Sequence, residues 1–230
     1  MTPDQRNRLR SIDMGFLAGY VDTLGFVALF GLFTAHVTGN FVLIGVALAD
    51  ASKASILLKF LAFPAFIAGI AMARLLILAC DKRQWPALKL ALLLQVVLLA
   101  GFMLAGMAAA PIGDTASALA MAAGLLGTAA MGAHSASSRL LLAQLAPTSM
   151  MTGNVTQVVI DSIDVLRGAG DAATSARCGK FFWPLLAFAI GAIAAAFAFM
   201  AFGFIALIVP IAILCAEMAL PEPQPGEGGA

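Results

Sequence analysis

Apolar positions along this chain fall in long blocks rather than in one-faced or alternating stripes, and the blocks set the predicted elements. Runs with little or no charge cover about residues 12–33, 56–79, 88–109, 116–142 and 181–216. Each is long enough to cross a hydrocarbon core of about 30 Å as a helix. The last holds 36 residues without a charge, about 54 Å as a single helix, so the reading divides it near Gly203 into two spans and expects Pro210 to kink the second. Two shorter blocks, 40–49 and 155–166, complete the pattern. The first of these makes about 15 Å of helix, half a core, and can enter a bilayer without crossing it.

Both short blocks follow the same tripeptide, Thr38-Gly39-Asn40 and, 114 residues later, Thr152-Gly153-Asn154. A polar, helix-breaking sequence at membrane depth is tolerated only where it is buried in protein or lines a wet cavity. Glycine permits a bend or a close approach, and Thr or Asn beside it can cap the following helix, whose positive end would then face an anionic or carbonyl-bearing solute. The alternative is a tight interhelical turn at the membrane surface.

Each half therefore reads span, short helix, span, span. The expected fold is all-α, a polytopic transmembrane bundle of about six full spans and two half-helices. It divides into a cytoplasmic tail (1–11), a first repeat (12–109), a second repeat (110–216) and a disordered tail (217–230). Three crossings per half would invert the second repeat against the first. That arrangement places Arg6, Arg8, Arg10, the 81–89 link, Arg139 and the 167–180 link together on the cytoplasmic side. Lys53 and Lys59 then fall outside.

Composition sharpens this picture. The chain is 62% hydrophobic and 11% charged, with a mean hydropathy of +0.99, against about 25% charge in a soluble domain. A soluble enzyme is excluded, and a net charge of +1 without a basic block gives no nucleic-acid partner. Three widely spaced cysteines with no Cys-x-x-Cys or His cluster indicate neither a disulfide framework nor a metal site, and no cofactor motif is present. The arginine-rich start looks like a signal peptide, but Asp13, Asp22 and the length of the run mark a retained first span.

Among polar residues inside the spans, Asp22 stands out, because an ionisable group at a helix centre costs at least about 2.5–3.5 kcal/mol. A structural hydrogen bond to a neighbouring Thr or backbone group is the plain alternative. His36 and His134 can relay protons near neutral pH, or serve as satisfied polar contacts. Asn40 and Asn154 can both donate and accept, as a solute or a helix cap requires. Gln157 and Gln95 are weaker candidates for which an interhelical hydrogen bond is the default.

The segments Gly15-Phe16-Leu17-Ala18-Gly19-Tyr20-Val21-Asp22 and Phe33-Thr34-Ala35-His36-Val37-Thr38-Gly39-Asn40 resemble the YoaK-type family of small bacterial inner-membrane proteins, a family of unknown function. The resemblance covers about residues 12–215 and implies a multi-pass bacterial cytoplasmic-membrane protein of six or seven helices, N-terminus inside, with no substrate assigned. The second half departs from the first: Met150 stands where His36 stands, and Ser135 or Ala136 roughly where Asp22 stands.

The functional expectation is a non-enzymatic transporter or permease. Its small-molecule or ion substrate would bind at Asp22, His36, Thr38, Gly39, Asn40, Thr152, Gly153, Asn154 and Gln157 where the two breaks meet near the midplane. Asp22, His36 and His134 form the proton relay. A structural or accessory subunit is the alternative, and an intramembrane enzyme a weaker one for want of any nucleophile–base pattern. Besides the lipid bilayer, a second copy of the chain is a candidate partner, since six small-residue helices make a thin bundle.

Overall fold

A computed structural model describes residues 2–49, 56–113, 117–148 and 150–221. All regular structure among them is helical: α1 (Pro3–Ala28), α2 (Gly39–Ala49), α3 (Ile56–Arg83), α4 (Ala87–Ala109), α5 (Ala118–Leu141), α6 (Met151–Leu166), α7 (Ala172–Phe202), a 3-10 turn (Gly203–Leu207) and α8 (Ile208–Ala219). Four segments are long and apolar enough to cross a membrane: α3, α4, α5 and the run Ala172–Ala219. The expected links at Asp50–Ser55 and Asp114 and the tail beyond Pro221 lie outside the described residues.

Several expected boundaries move, each for a local reason. The chain is helical from Pro3, through the expected polar tail, because Thr2 and Gln5 form a reciprocal capping box. α7 begins at Ala172 rather than 181, because the Asp171 carboxylate caps it by accepting from the backbone N–H and the hydroxyl of Thr174. The break at Gly203 is where expected, and its φ of +59° explains the glycine. Pro210 does not kink a span, since α8 starts only two residues before it and proline is tolerated in a first turn. Glu217 belongs to α8 and is buried, not part of a loose tail.

Contacts between helix ends fix the directions of the helices. Arg10 near the start of α1 donates to Glu217 at the end of α8 (2.6 Å), and Lys59 near the start of α3 donates to the Phe30 carbonyl just past α1 (2.8 Å). Gly124 in α5 lies against Leu29, Leu32 and Leu58. The ends of α1, α4 and α7 line one apolar cavity of about 530 Å³ through Val27, Met107 and Phe202. Thus α1, α4 and α7 run from the arginine-rich end to the far end, and α3, α5 and α8 run back.

Two glycine-notched seams hold the bundle together. Where α1 crosses α7, a Cβ on Gly19 would overlap the Phe188 carbonyl oxygen and one on Gly191 the Phe16 carbonyl oxygen. Where α3 crosses α5, Gly132 meets the Phe66 carbonyl and Gly69 the Ala129 carbonyl in the same way. In all four cases the glycine stands three residues after the residue whose carbonyl its partner meets. Backbones this close gain dispersion and weak hydrogen bonding where lipid gives no hydrophobic drive between helices. The first helix of each half thus packs on the third element of the other.

Candidate functional site

The loop between α1 and α2 is built around one carboxylate. Leu29 caps α1, and Phe30 (φ 53°) and Gly31 (φ 78°) turn the chain back toward the middle of α1. There Asp22, 4% exposed, accepts at Oδ1 from the backbone N–H groups of Thr34 and Ala35 (2.7 Å each), while Oδ2 lies 2.7 Å from His36 Nδ1. Three loop groups that would otherwise lack a partner away from water are thereby satisfied. Both Asp22 oxygens are occupied, so the side of the pair open to a ligand is the His36 ring, 37% exposed, whose edge meets Phe188 at the α1–α7 seam (5.5 Å between ring centres). A carboxylate bonded to one ring nitrogen fixes the tautomer and raises the basicity of the other.

Asn40 completes the same loop. Its side-chain amide copies a backbone strand pair, Oδ1 accepting from Phe33 N–H (3.0 Å) and Nδ2 donating to the Phe33 carbonyl (2.8 Å). The first N–H groups of α2 also turn inward, because Gly39, Asn40 and Phe41 donate to the carbonyls of His36, Val37 and Thr38. The free, solute-facing helix terminus expected at the first break is closed by its own turn. Thr38 remains exposed and Gly39 half-exposed beside it.

The second break repeats the plan with different chemistry. Leu142 caps α5 with nearly the backbone angles of Leu29 (φ −128°, ψ 32° against φ −127°, ψ 45°). Asn154 Nδ2 donates to the carbonyl of Pro147, again seven residues back (2.9 Å), but proline offers no N–H in return. Ser135 stands seven residues before Leu142 as Asp22 does before Leu29, yet the residue that reaches the loop is His134, one position earlier, which meets Thr148 14 residues on where Asp22 meets Thr34 12 residues on. His134 is 2% exposed, with Nε2 2.8 Å from Thr148 Oγ1 and Nδ1 3.2 Å from Gln95 Oε1. An amide oxygen only accepts, so Nδ1 carries the proton and the Thr148 hydroxyl donates to Nε2. Gln95 Nε2 is buried without a hydrogen-bond partner.

Thr152, Gly153 and Asn154 are helical, lying in the first turn of α6, and the non-helical break precedes them. Thr152 and Gly153 are exposed and Met150 supplies no cap, so this helix terminus is the more open of the two. Gln157 belongs elsewhere: it donates to Asp161 (2.9 Å), which holds the Arg177 guanidinium through both oxygens (2.7 and 3.0 Å) and ties α6 to α7. Opposite charges 16 residues apart across a helical hairpin are the only signal of this pair in the sequence.

The structure does not bring the two breaks together. α2 packs on α3 and α6 on α7, with no contact between α2 and α6 among the described residues. Asp22, His36, Thr38, Gly39 and Asn40 form one node; His134 and Asn154 bracket another with Gln95 and Thr148, and Gln157 belongs to neither. The apolar cavity at the far end holds none of them, and the described residues contain no group of three metal-ligating side chains.

The comparisons with known proteins agree with the helices. A stretch of 82 residues is 34% identical to the UPF0700 transmembrane protein YoaK of Bacillus subtilis (strain 168), covering 36% of this chain and 36% of that protein. The aligned part is therefore about a third of the curated relative's length. No solved structure matches. The model of the family described as protein of unknown function (DUF1275) matches residues 12–220. The protein is thus a helical membrane protein, and it belongs to the DUF1275 family, to which the YoaK-type resemblance over about residues 12–215 pointed.

Proposed function

We propose that the protein is a secondary transporter of a small solute, built from two inverted repeats whose short helices re-enter the membrane. The observation that carries this reading is the matched pair of breaks on oppositely directed helices: Asn40 to Phe33 and Asn154 to Pro147, both seven residues back, after α1 and α5. α1 ends and α3 starts at the far end, while α5 ends and α7 starts at the arginine-rich end, so each short helix leaves and returns on one side. Inverted halves with discontinuous helices are the build of many secondary transporters. The positive-inside rule then puts the N-terminus in the cytoplasm of a bacterial inner membrane.

In this reading His36, oriented by Asp22, exchanges the coupling proton at Nε2. Thr152 and Gly153 at the open start of α6 are the solute-facing part of the second half. Asn40 and Asn154 position loops rather than touch solute. The test is proton movement in proteoliposomes under an imposed solute gradient, read by a trapped pH dye across small anions, cations and metabolites. Solute-dependent acidification or alkalinisation that is lost in His36→Ala supports the reading. A panel without proton movement or melting shift, with wild type folded, overturns it.

One observation favours a second reading, a structural or accessory subunit. Both carboxylate oxygens of Asp22 and both amide atoms of Asn40 are engaged within the protein. That reading predicts full function in the host with His36→Ala and a partner retained on gentle extraction.

A further inference from the structure

Several cations of the helices have a protein partner: Arg10 pairs with Glu217, Arg177 with Asp161, and Lys59 donates to the Phe30 carbonyl. Arg74, on α3, makes no hydrogen bond, ion pair or ring contact with any other described residue. Its depth makes that costly. α3 holds 28 residues, about 42 Å of helix, which matches a whole bilayer of about 40–45 Å with a polar layer of about 5–8 Å on each side of the hydrocarbon. Arg74 stands nine residues before the end of α3 at Arg83, about 14 Å in and so about 6–9 Å inside the hydrocarbon. The Cα–Cβ bonds of a helix tilt toward its N-terminus, which for α3 is the far end. A side chain that snorkels to the arginine-rich surface therefore has to double back.

The charge also faces outward. α3 buries Gly69, Ala73, Ile77 and Cys80, with Gly69 against α5, and exposes Ile67, Leu75 and Leu78 on the side of Arg74. α2 covers only the first part of α3, its Phe41 meeting Phe63 (5.1 Å between ring centres) 11 residues short of Arg74. The matching place in the other half, five residues after Gly191 as Arg74 is after Gly69, holds Ala196. The shared scaffold therefore does not call for a cation there.

A guanidinium at this depth is stable only where a counter-charge or polar group meets it. The exposed acids among the described residues, Asp4, Asp81 and Asp171, all stand at the arginine-rich ends of α1, α3 and α7. A second copy packed on this face would bring no exposed carboxylate to Arg74. The surrounding bilayer does supply an anion, the lipid phosphate, whose oxygens match the two parallel N–H donors of an arginine fork.

We propose that Arg74 is the binding site for an anionic phospholipid of the leaflet on the arginine-rich side, with the phosphate drawn down onto the guanidinium and the acyl chains along Ile67, Leu75 and Leu78. The site is independent of the transport reading, since it needs neither break.

Melting of the full chain in a neutral detergent, with phosphatidylglycerol or phosphatidylcholine added, tests this. At about ten times its dissociation constant, phosphatidylglycerol should raise the wild-type midpoint by about 3–6 °C. The same amount of phosphatidylcholine, bound about fivefold more weakly for want of net charge, should raise it by about half as much. Arg74→Leu should fold and respond to the two lipids alike. Lys82→Leu, which removes an exposed cation in the last turn of α3, should keep the difference, and Arg74→Lys, with one ammonium in place of the fork, should fall between.

A second readout keeps the arginine. Leu78→Trp, one turn from Arg74, should be half-quenched by phosphatidylglycerol brominated on its acyl chains at about fivefold less lipid than by brominated phosphatidylcholine, once the emission of the wild type is subtracted. Equal quenching by the two lipids, or a difference in melting that survives Arg74→Leu, overturns the proposal. So does a full rise with glycerol phosphate alone, which would make the ligand a soluble anion, or a lipid-free dimer that Arg74→Leu dissociates, which would make it a second copy.

Discussion

The first break is held by a charge and the second by a neutral network, although both hang on the same scaffold. Asp22 gathers two backbone N–H groups and the His36 ring, and leaves that ring partly open. His134, one residue before the equivalent place, is sealed between Thr148 and Gln95. The short helices differ in the opposite sense. α6 is locked to α7 by the two-pronged Asp161–Arg177 pair, whereas α2 shows no ion pair among the described residues and leaves Phe41, Val42, Val46 and Leu48 exposed. Similar packing thus supports one lightly held and one firmly held short helix.

The largest expected effect breaks the contrast at its centre. Asp22→Ala strips the partner from Thr34, Ala35 and His36 at once, and should cost about 3–5 kcal/mol. Asp22→Asn keeps an accepting oxygen and should recover much of it. His134→Ala, which loses two neutral hydrogen bonds, should cost about 1–3 kcal/mol. Melting of the purified variants in one detergent ranks the three; equal losses for Asp22→Ala and His134→Ala would erase the distinction.

The shared scaffold is tested next. Gly19→Leu and Gly132→Leu each push a side chain into a backbone carbonyl across a seam, which no rotamer relieves, and each should cost about 3 kcal/mol. Folded yield and melting should fall together in both. Tolerance at one seam alone would show that the two crossings are not equivalent.

Smaller effects sharpen the comparison. Asn40→Ala breaks two hydrogen bonds to Phe33 and Asn154→Ala one to Pro147, so the first should be the worse by about 1 kcal/mol. Asp161→Asn weakens the grip of Arg177 on α6, and amide exchange in α6 should rise toward that of α2. Exchange in α6 unchanged by this variant would mean that packing alone holds the helix.

The sequence by itself determined the class of molecule and most of the helices. Blocks of 18 or more apolar residues have no stable home except lipid or a protein core, so the four apolar segments of α3, α4, α5 and Ala172–Ala219, the division at Gly203 and the repeated Thr-Gly-Asn were legible. Helix starts at Pro3 and Ala172 were less so, because capping by Thr2 and Asp171 competes locally with the polar character that suggested a tail and a link. The partners of polar residues were decided only by the tertiary structure. Hydropathy marks Asp22 and His134 as costly, but only the path of each folded loop decides which backbone or side chain reaches each. The meeting of the two breaks failed for the same reason: sequence shows that they are alike, and only the packing of α2 on α3 and α6 on α7 shows that they are apart. Arg10 and Glu217 lie 207 positions apart along the chain, a distance at which composition carries no information about pairing. It took the return of α8 along α1 to bury them together.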